Sequence, residues 1–387
     1  MKDILFITNY FPPEKGAASN RIFHMAEGLQ KRGFKVSVVT PLPNYPYGKI
    51  FSGYKKTFGY TSYEHNITIH RLWIYANNSK NKFRRFLAML SYSFSLILFF
   101  AFKKIPRTVI IQSPPLLVAF TCTLLLRSRK RRLILNVSDL WPLAGLELGV
   151  FKRNWSYRML EKIEHFNYSN SNLVLGQSQE ILEHVNSSLP KKPVALYRNF
   201  PNIYFEHFRS IPPSKNKIRL VYAGLLGVAQ GILKLCEHLD YSRIELHIYG
   251  SGAEKEQLVS FLDQHPKLPI IYHGEVERTE LHEILLDYDA TLIPLLNRIY
   301  GSVPSKIFEF SKLGLPIIYF GGGEGESIIN DLNLGWTAPP GNYDALNKLI
   351  ASIDSASLET KSRHRIKALA DHHFDFNQQL DSIIDLL

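Results

Sequence analysis

Short apolar runs rich in β-branched residues recur along this 387-residue chain, and most are followed by a glycine-bearing turn and a helical stretch. In the first half, Ile4–Thr8 reads as a strand, Ala17–Arg32 as a helix ended by Gly33, and Lys35–Thr40, Thr108–Gln112 and Leu133–Val137 as further strands. In the second half, Arg219–Ala223 precedes Gly224 and a helix from about Gln230, and Glu245–Tyr249 precedes Gly250-Ser-Gly252. Pro269–His273 precedes Gly274 and a helix from Thr279; Ala290–Pro294 and Pro316–Phe320 complete the set. Strands spaced by helices predict parallel sheets with crossover helices. Two such sets in series predict an α/β chain of two Rossmann-like domains whose sheets face a central cleft, and 387 residues exceed what one core usually supports. Ligands in such sheets bind beyond the carboxyl ends of the strands.

Charge divides the chain in the same way. Residues 1–200 hold 29 Lys and Arg against 10 Asp and Glu, a balance of +19, while 201–387 hold 17 against 24, a balance of −7. The expected domains are 1–204, 205–365, and a C-terminal helix at 366–387 packing back on the first domain. A basic half suits nucleic acid, an anionic membrane or an anionic small molecule. The placement of the cations narrows this. Arg84-Arg85 and Lys103-Lys104 bracket Phe86–Phe102, seventeen residues without a charge, and Arg127, Arg129, Lys130, Arg131 and Arg132 follow the apolar stretch Leu116–Leu126. Nucleic-acid binders interleave basic groups with aromatics along a groove. Cations that flank apolar segments point to a helix lying in an anionic membrane surface, and seventeen residues are at the lower edge of what can span a bilayer. No nucleic-acid partner is expected.

Several chemistries find no motif. There is no G-x-G-x-x-G with a following acidic residue at the right distance and no G-x-x-x-x-G-K-[ST], so dinucleotide and P-loop readings lack support. The two cysteines, Cys122 and Cys236, lie far apart, and no disulfide framework or metal-ligand spacing is present. The first apolar run is too short for a signal peptide and stops at Pro12-Pro13, so a cytoplasmic location is expected.

Residues 301–325 combine a short helix with a buried strand and a triple glycine. Ser302 is the expected N-cap, Pro304 suits a first turn, and Gly314 with Pro316 ends the helix. Ile307, Phe310 and Leu313 fall on the buried side; Ser305, Glu309 and Lys312 share another face. A lysine and a carboxylate in the first turns of a helix make a candidate site for a phosphate at Lys306 and a sugar hydroxyl at Glu309.

These segments together resemble a family 4 glycosyltransferase of the two-domain GT-B type, in the branch that builds bacterial O-antigen and capsule sugars. The matching residues are Thr8-Asn-Tyr-Phe-Pro-Pro13 with Gly16, Pro43-Asn-Tyr-Pro46 with Gly48-Lys49, Ser113-Pro-Pro115 and Ser138-Asp-Leu-Trp-Pro142. In the second half they are Tyr222-Ala-Gly224, Ala229-Gln-Gly231, Tyr249-Gly-Ser-Gly252 and Val303-Pro-Ser-Lys-Ile-Phe-Glu309.

The resemblance implies a retaining, metal-independent hexosyl- or N-acetylhexosaminyltransferase with no cofactor, its UDP-linked sugar held by the second domain and its acceptor by the first. Glu309 matches the later glutamate of an E-x7-E motif and would bind ribose hydroxyls, whereas the earlier glutamate position is Gly301. The family's Arg and Lys, one on each side of the first helix of the second domain, find no match: the lysine position is Gln230 and no arginine sits in Tyr222–Gly227, so phosphate charge passes to Lys306, Arg298 and the helix N-terminus near Ser302, with Ser305 also assigned to the donor. Gly224, Gly250, Gly252, Val276 and Gly16 are assigned to donor binding, Glu324 to a donor-sugar hydroxyl, and Asp139 to catalysis with Lys306 and Glu324. Arg21 and Asn44 are assigned to the acceptor, expected to be a polyprenyl-diphosphate-linked saccharide at the inner face of the plasma membrane. A nucleotide-sugar epimerase of the same fold and a non-catalytic sugar-nucleotide-binding membrane scaffold are the alternatives.

Overall fold

The computed structural model describes residues 2–55, 57–78, 81–203 and 217–387. They form two units, Met1–Asn199 with Phe376–Leu387, and Phe200–Asp375.

In the first unit the chain runs β1 (Asp3–Ile7), α1 (Ala17–Lys31), β2 (Lys35–Pro41), β3 (Gly59–Glu64), β4 (Ile67–Leu72), α2 (Lys82–Phe102), β5 (Thr108–Ser113) and α3 (Leu116–Leu126). It continues through β6 (Arg132–Val137), α4 (Leu143–Glu147), α5 (Trp155–Asn170), β7 (Leu173–Gly176), α6 (Gln179–Ser188) and β8 (Val194–Leu196). The eight strands are ordered β3-β4-β2-β1-β5-β6-β7-β8. Every pair is parallel except β3 with β4, which is an antiparallel hairpin on the edge. That hairpin is a departure from the expected all-parallel sheet. Its turn is made by His65 and Asn66 at φ 52° and 59°, a left-handed pair that brings β3 back along β4. Chain order reverses between β1 and β5, so this sheet's switch point lies at Thr8 and Ser113.

The second unit runs β9 (Ile218–Ala223), α7 (Ile232–His238), β10 (Ile244–Tyr249), α8 (Lys255–Gln264), β11 (Ile270–Gly274), α9 (Arg278–Leu285) and β12 (Ala290–Pro294). Then follow α10 (Ser305–Lys312), β13 (Ile317–Phe320), α11 (Glu324–Asp331), β14 (Gly335–Ala338), α12 (Tyr343–Ser352) and α13 (Thr360–His373). The sheet order is β11-β10-β9-β12-β13-β14 and all five pairings are parallel. Period-two alternation sends Leu220 and Tyr222 into one core with α7, α8 and α12, and Val221 and Ala223 into another with α9, α10 and α13. The switch point lies between β9 and β12, which directs attention to the loops after Ala223 and Pro294.

One domain limit falls later than expected. The boundary expected at 204/205 lies outside the described residues, and the contact boundary falls at 199/200. The chain returns to the first unit at Phe376 rather than 366, because α13 buries Ile366 and Ala370 in the second unit's core. The last helix, α14 (Phe376–Ile384), packs on α1 through Phe376 and Leu380, and Arg32 Nε pairs with Asp381 Oδ1 at 2.5 Å.

Candidate functional site

In the second unit, the β9–α7 and β10–α8 loops are laced together by backbone. Gly224 N donates to Tyr249 O at 2.9 Å, Leu226 N to Ser251 O at 3.0 Å, and Glu254 N to Leu226 O at 3.0 Å. A β-carbon at Gly250 would overlap the Gly224 carbonyl, and one at Gly252 would overlap the Leu226 carbonyl. These two glycines therefore serve the joining of the loops first, and Gly250 also needs its φ of 134°. Gly224, Tyr249, Gly250, Val276 and Leu281 line a cavity of about 250 Å³ beyond the strand ends. Three residues assigned from sequence to donor binding thus meet in one hollow, and Gly252 lies outside its lining.

Lys306 enters the same region from α10. A β-carbon on Gly224 would collide with its Nζ, so Gly224 is the gap through which the ammonium passes. The Nζ makes no hydrogen bond or ion pair among the described residues, and it lies over the rings of Tyr222 at 5.2 Å and Phe310 at 5.6 Å. Burial pushes this ammonium down to about 8, against the pull of the Glu309 carboxylate. A cation held at a switch point without an acceptor is suited to an incoming anion.

Glu309, one turn further along α10, is engaged from α9. Its Oε1 accepts from His282 Nε2 at 2.6 Å and from Arg278 Nε at 2.9 Å. Burial raises the carboxyl, but the His282 hydrogen bond and the Arg278 charge outweigh it and hold it below the usual range. Sequence reasoning missed both partners, since they lie 27 and 31 residues from Glu309 and meet it only when α9 packs on α10.

The helix differs from its expected form in two respects. It begins at Ser305 with Pro304 at the N-cap position, so Ser302 does not cap it. Lys312 is buried, not on a solvated face, because α13 covers it and offers Asp371 Oδ1 at 3.5 Å. Gly301, where the resemblance leads one to look for a glutamate, has φ 82°, a left-handed conformation costly for any side chain. Beyond β12, exposed Arg298 lies beside the Tyr300 ring at 5.8 Å and close to Gly322. Gly323 turns the chain at φ 78° so that Glu324 starts α11.

In the first unit, Arg21, assigned from sequence to the acceptor, is buried in a polar network. Its guanidinium donates to Asn136 Oδ1 at 2.6 Å and Gln177 Oε1 at 3.4 Å and lies over the Tyr197 ring at 5.2 Å. Asn136 donates to Gln112 Oε1 at 2.6 Å, Gln112 to Ser138 Oγ at 2.9 Å, and Gln177 to the Ser138 carbonyl. The network ties α1 to the carboxyl ends of β5, β6 and β7. Burial lowers Arg21 to about 10, with Tyr197 and Asp139 opposing. Asp139 sits at the edge of this network. Burial raises its carboxyl to about 6, against the Arg21 charge and a Ser138 hydrogen bond.

Asn44 is held by a carboxylate that sequence reasoning overlooked. Buried Glu14 accepts from the backbone N–H of Asn44 and of Tyr45 at 2.8 Å each, while Asn44 Nδ2 donates to Leu42 O at 2.9 Å. Gly16, at φ 148°, opens α1 nearby. Among the described residues, no group of three or more His, Cys, Asp or Glu is placed to hold a metal ion.

Two doubly wound units with glycine-bearing loops and an acceptor-free lysine at a switch point define a GT-B architecture. The chain matches the families described as "Glycosyl transferase 4-like domain" over residues 16–199 and "Glycosyl transferases group 1" over 204–372. It belongs to the family 4, GT-B glycosyltransferases. A curated relative, the probable glycosyltransferase WbjE of Pseudomonas aeruginosa, is 26% identical over 262 residues, 64% of this chain, and the match spans just under two thirds (66%) of that protein. Among solved structures, sucrose-phosphate synthase from Thermosynechococcus elongatus has a TM-score of 0.74 at 14% identity, covering 100% of this chain and 98% of that one. HepE of Anabaena in complex with UDP scores 0.69 at 13% identity with 100% of both chains covered. WaaG, a glycosyltransferase involved in lipopolysaccharide biosynthesis, scores 0.68 at 12% identity with 99% of both covered. At these identities the three structures speak for the fold.

Proposed function

We propose that the chain is a retaining glycosyltransferase that moves a hexosyl or N-acetylhexosaminyl group from a UDP-linked donor to a polyprenyl-diphosphate-linked saccharide. It would do so without a metal ion, at the cytoplasmic face of the plasma membrane, in bacterial surface polysaccharide synthesis. The observation that carries the reading is the Lys306 ammonium, held under Gly224 beside the cavity with no anion of its own. The UDP bound to HepE and the lipopolysaccharide role of WaaG support the donor and the pathway by likeness.

In this reading the bond between the anomeric carbon and the β-phosphate oxygen breaks, and the acceptor oxygen bonds to that carbon on the same face. The acceptor proton passes to an oxygen of the departing diphosphate. Negative charge gathers on that diphosphate, where Lys306, Arg298 and the start of α10 meet it, and a preorganised donor of this kind supplies about 3 kcal/mol. Glu309 takes the ribose through its carboxylate, Glu324 a hydroxyl of the donor sugar, and the half-buried Asp139 a sugar hydroxyl on the first unit.

The test is to incubate the protein with UDP-sugars, with and without extracted lipid-linked saccharide. Acceptor-dependent UDP release, lost in Lys306→Gln, is the expected result. Conversion of the sugar without UDP release would make it an epimerase, and tight UDP binding with neither product would make it a binding protein.

A further inference from the structure

α2 carries an apolar stripe that the first unit leaves uncovered. Phe83, Phe86, Leu90, Phe94, Leu98 and Phe102 follow at three- and four-residue steps along the helix, and each is exposed, Phe94 by 56% and Phe102 by 82%. The other side of the helix is fastened to the sheet. Ala88, Tyr92 and Leu96 are buried, and the Tyr92 hydroxyl donates to Thr8 O at the end of β1 at 2.9 Å. Ser95 Oγ donates to Trp73 O at 2.8 Å, and Ser91 Oγ accepts from Tyr75 N at 2.8 Å. By length and composition α2 passes for a membrane span. Fastened along one side to a sheet, it cannot leave that sheet to cross a bilayer. It is free to lie flat.

The charges around it name what it lies on. Arg84 and Arg85 at its start, Lys103 and Lys104 at its end, and Arg129 and Lys130 in the turn after α3 are all exposed. α3 packs on α2 and adds exposed Leu124 and Leu125. No acidic residue occurs between Glu64 and Asp139. A second copy of the chain would set these cations against their own kind, whereas an anionic lipid surface offers apolar depth under the stripe and phosphates at its rim.

We infer that α2 lies in the plane of an anionic bilayer surface, its Phe83-to-Phe102 stripe among the acyl chains and the cations at both ends on lipid phosphates. The inference deepens the lipid-acceptor reading above and rests on it for its purpose, while its test needs neither donor nor acceptor.

Full-length protein is mixed with phosphatidylcholine vesicles with and without about a third phosphatidylglycerol, and bound protein is measured by flotation. Affinity about tenfold or more higher for the anionic vesicles, falling steeply with added NaCl, is expected. Phe94→Ser with Leu98→Ser should lower that affinity at least about tenfold with an unchanged melting temperature. Single cysteines at Phe83, Leu90 and Ile97, exposed positions at seven-residue steps on one face of α2, labelled with a fluorophore and quenched by depth-graded nitroxide lipids, should report one common depth. Equal binding to neutral vesicles, graded depths, or lipid-free self-association through this face would each overturn the inference. Vesicle binding as expected without transfer to a lipid acceptor would defeat the acceptor reading and leave the docking face standing.

Discussion

Glu309 on α10 and His282 on α9 share a 2.6 Å hydrogen bond, so the carboxylate expected to hold a ribose also pins two helices together. Its carboxyl lies below the usual range, so its stabilisation is present above the unfolded value near 4.3 and lost as pH falls through the lower folded value. His282→Ala should cost about 1–3 kcal/mol of stability, the range for a charge-assisted hydrogen bond, and weaken UDP binding less than Glu309→Ala does. Thermal melts from pH 7 to pH 3 and UDP titrations read both. Equal losses of UDP affinity in the two variants would mean that Glu309 acts only as a brace.

Lys306 should show opposite effects on stability and turnover. Its folded value of about 8 lies below the unfolded one, so the full cost of the buried cation is present below pH 8 and fades as pH rises toward 10. Lys306→Met should therefore stabilise the fold at pH 7 by about 1 kcal/mol or more, seen as a higher melting temperature, while lowering transfer roughly a hundredfold. UDP affinity of the native protein should fall above pH 8, with proton uptake on binding visible by calorimetry in buffers of differing ionisation enthalpy. Lys306→Met should abolish that uptake.

Two glycines separate access from architecture. At Gly224 an added methyl meets the movable tip of Lys306, so Gly224→Ala should fold nearly as well as the native chain yet bind UDP about tenfold or more weakly. At Gly250 it meets the backbone carbonyl of Gly224 at a φ of 134°, so Gly250→Ala should lose about 2 kcal/mol or more. Chemical denaturation set beside UDP titration distinguishes them.

Asp139 works in the other direction from Glu309. Its folded value of about 6 exceeds the unfolded one near 3.9, so stability is fullest below 4, falls as pH rises to 6, and stays reduced above. Asp139→Asn should flatten that slope in a pH series of melts and stabilise the chain at pH 7 by about 1 kcal/mol. If Asp139 also serves transfer, the native rate profile has an acid limb near pH 6 that the variant lacks.

The doubly wound frame was legible because buried parallel strands are nearly continuous apolar runs. The expected helix Ala17–Arg32 is α1 at Ala17–Lys31, and Glu245–Tyr249 is β10 at Ile244–Tyr249. The β3–β4 hairpin was not, since β3 is an exposed, polar edge strand and its His65-Asn66 turn carries no glycine. The position of Lys306 near a helix start could be read from spacing alone. That it lacks an anion could not, because that depends on what α9, α10 and the Gly224 loop leave empty. The burial of Arg21 was equally hidden, as it follows from Asn136 and Gln177, 115 and 156 residues away.

Gly301 bears on how this chain could have arisen and where it could go. At φ 82° its loop disfavours a side chain by about 1–2 kcal/mol. A single codon change to glutamate would thus incur a folding penalty before any gain in ligand contact. Restoring the acidic pair requires the loop to be reshaped first, so the glycine acts as a ratchet in sequence space and channels later adaptation of donor recognition toward residues such as Arg298 and Glu324.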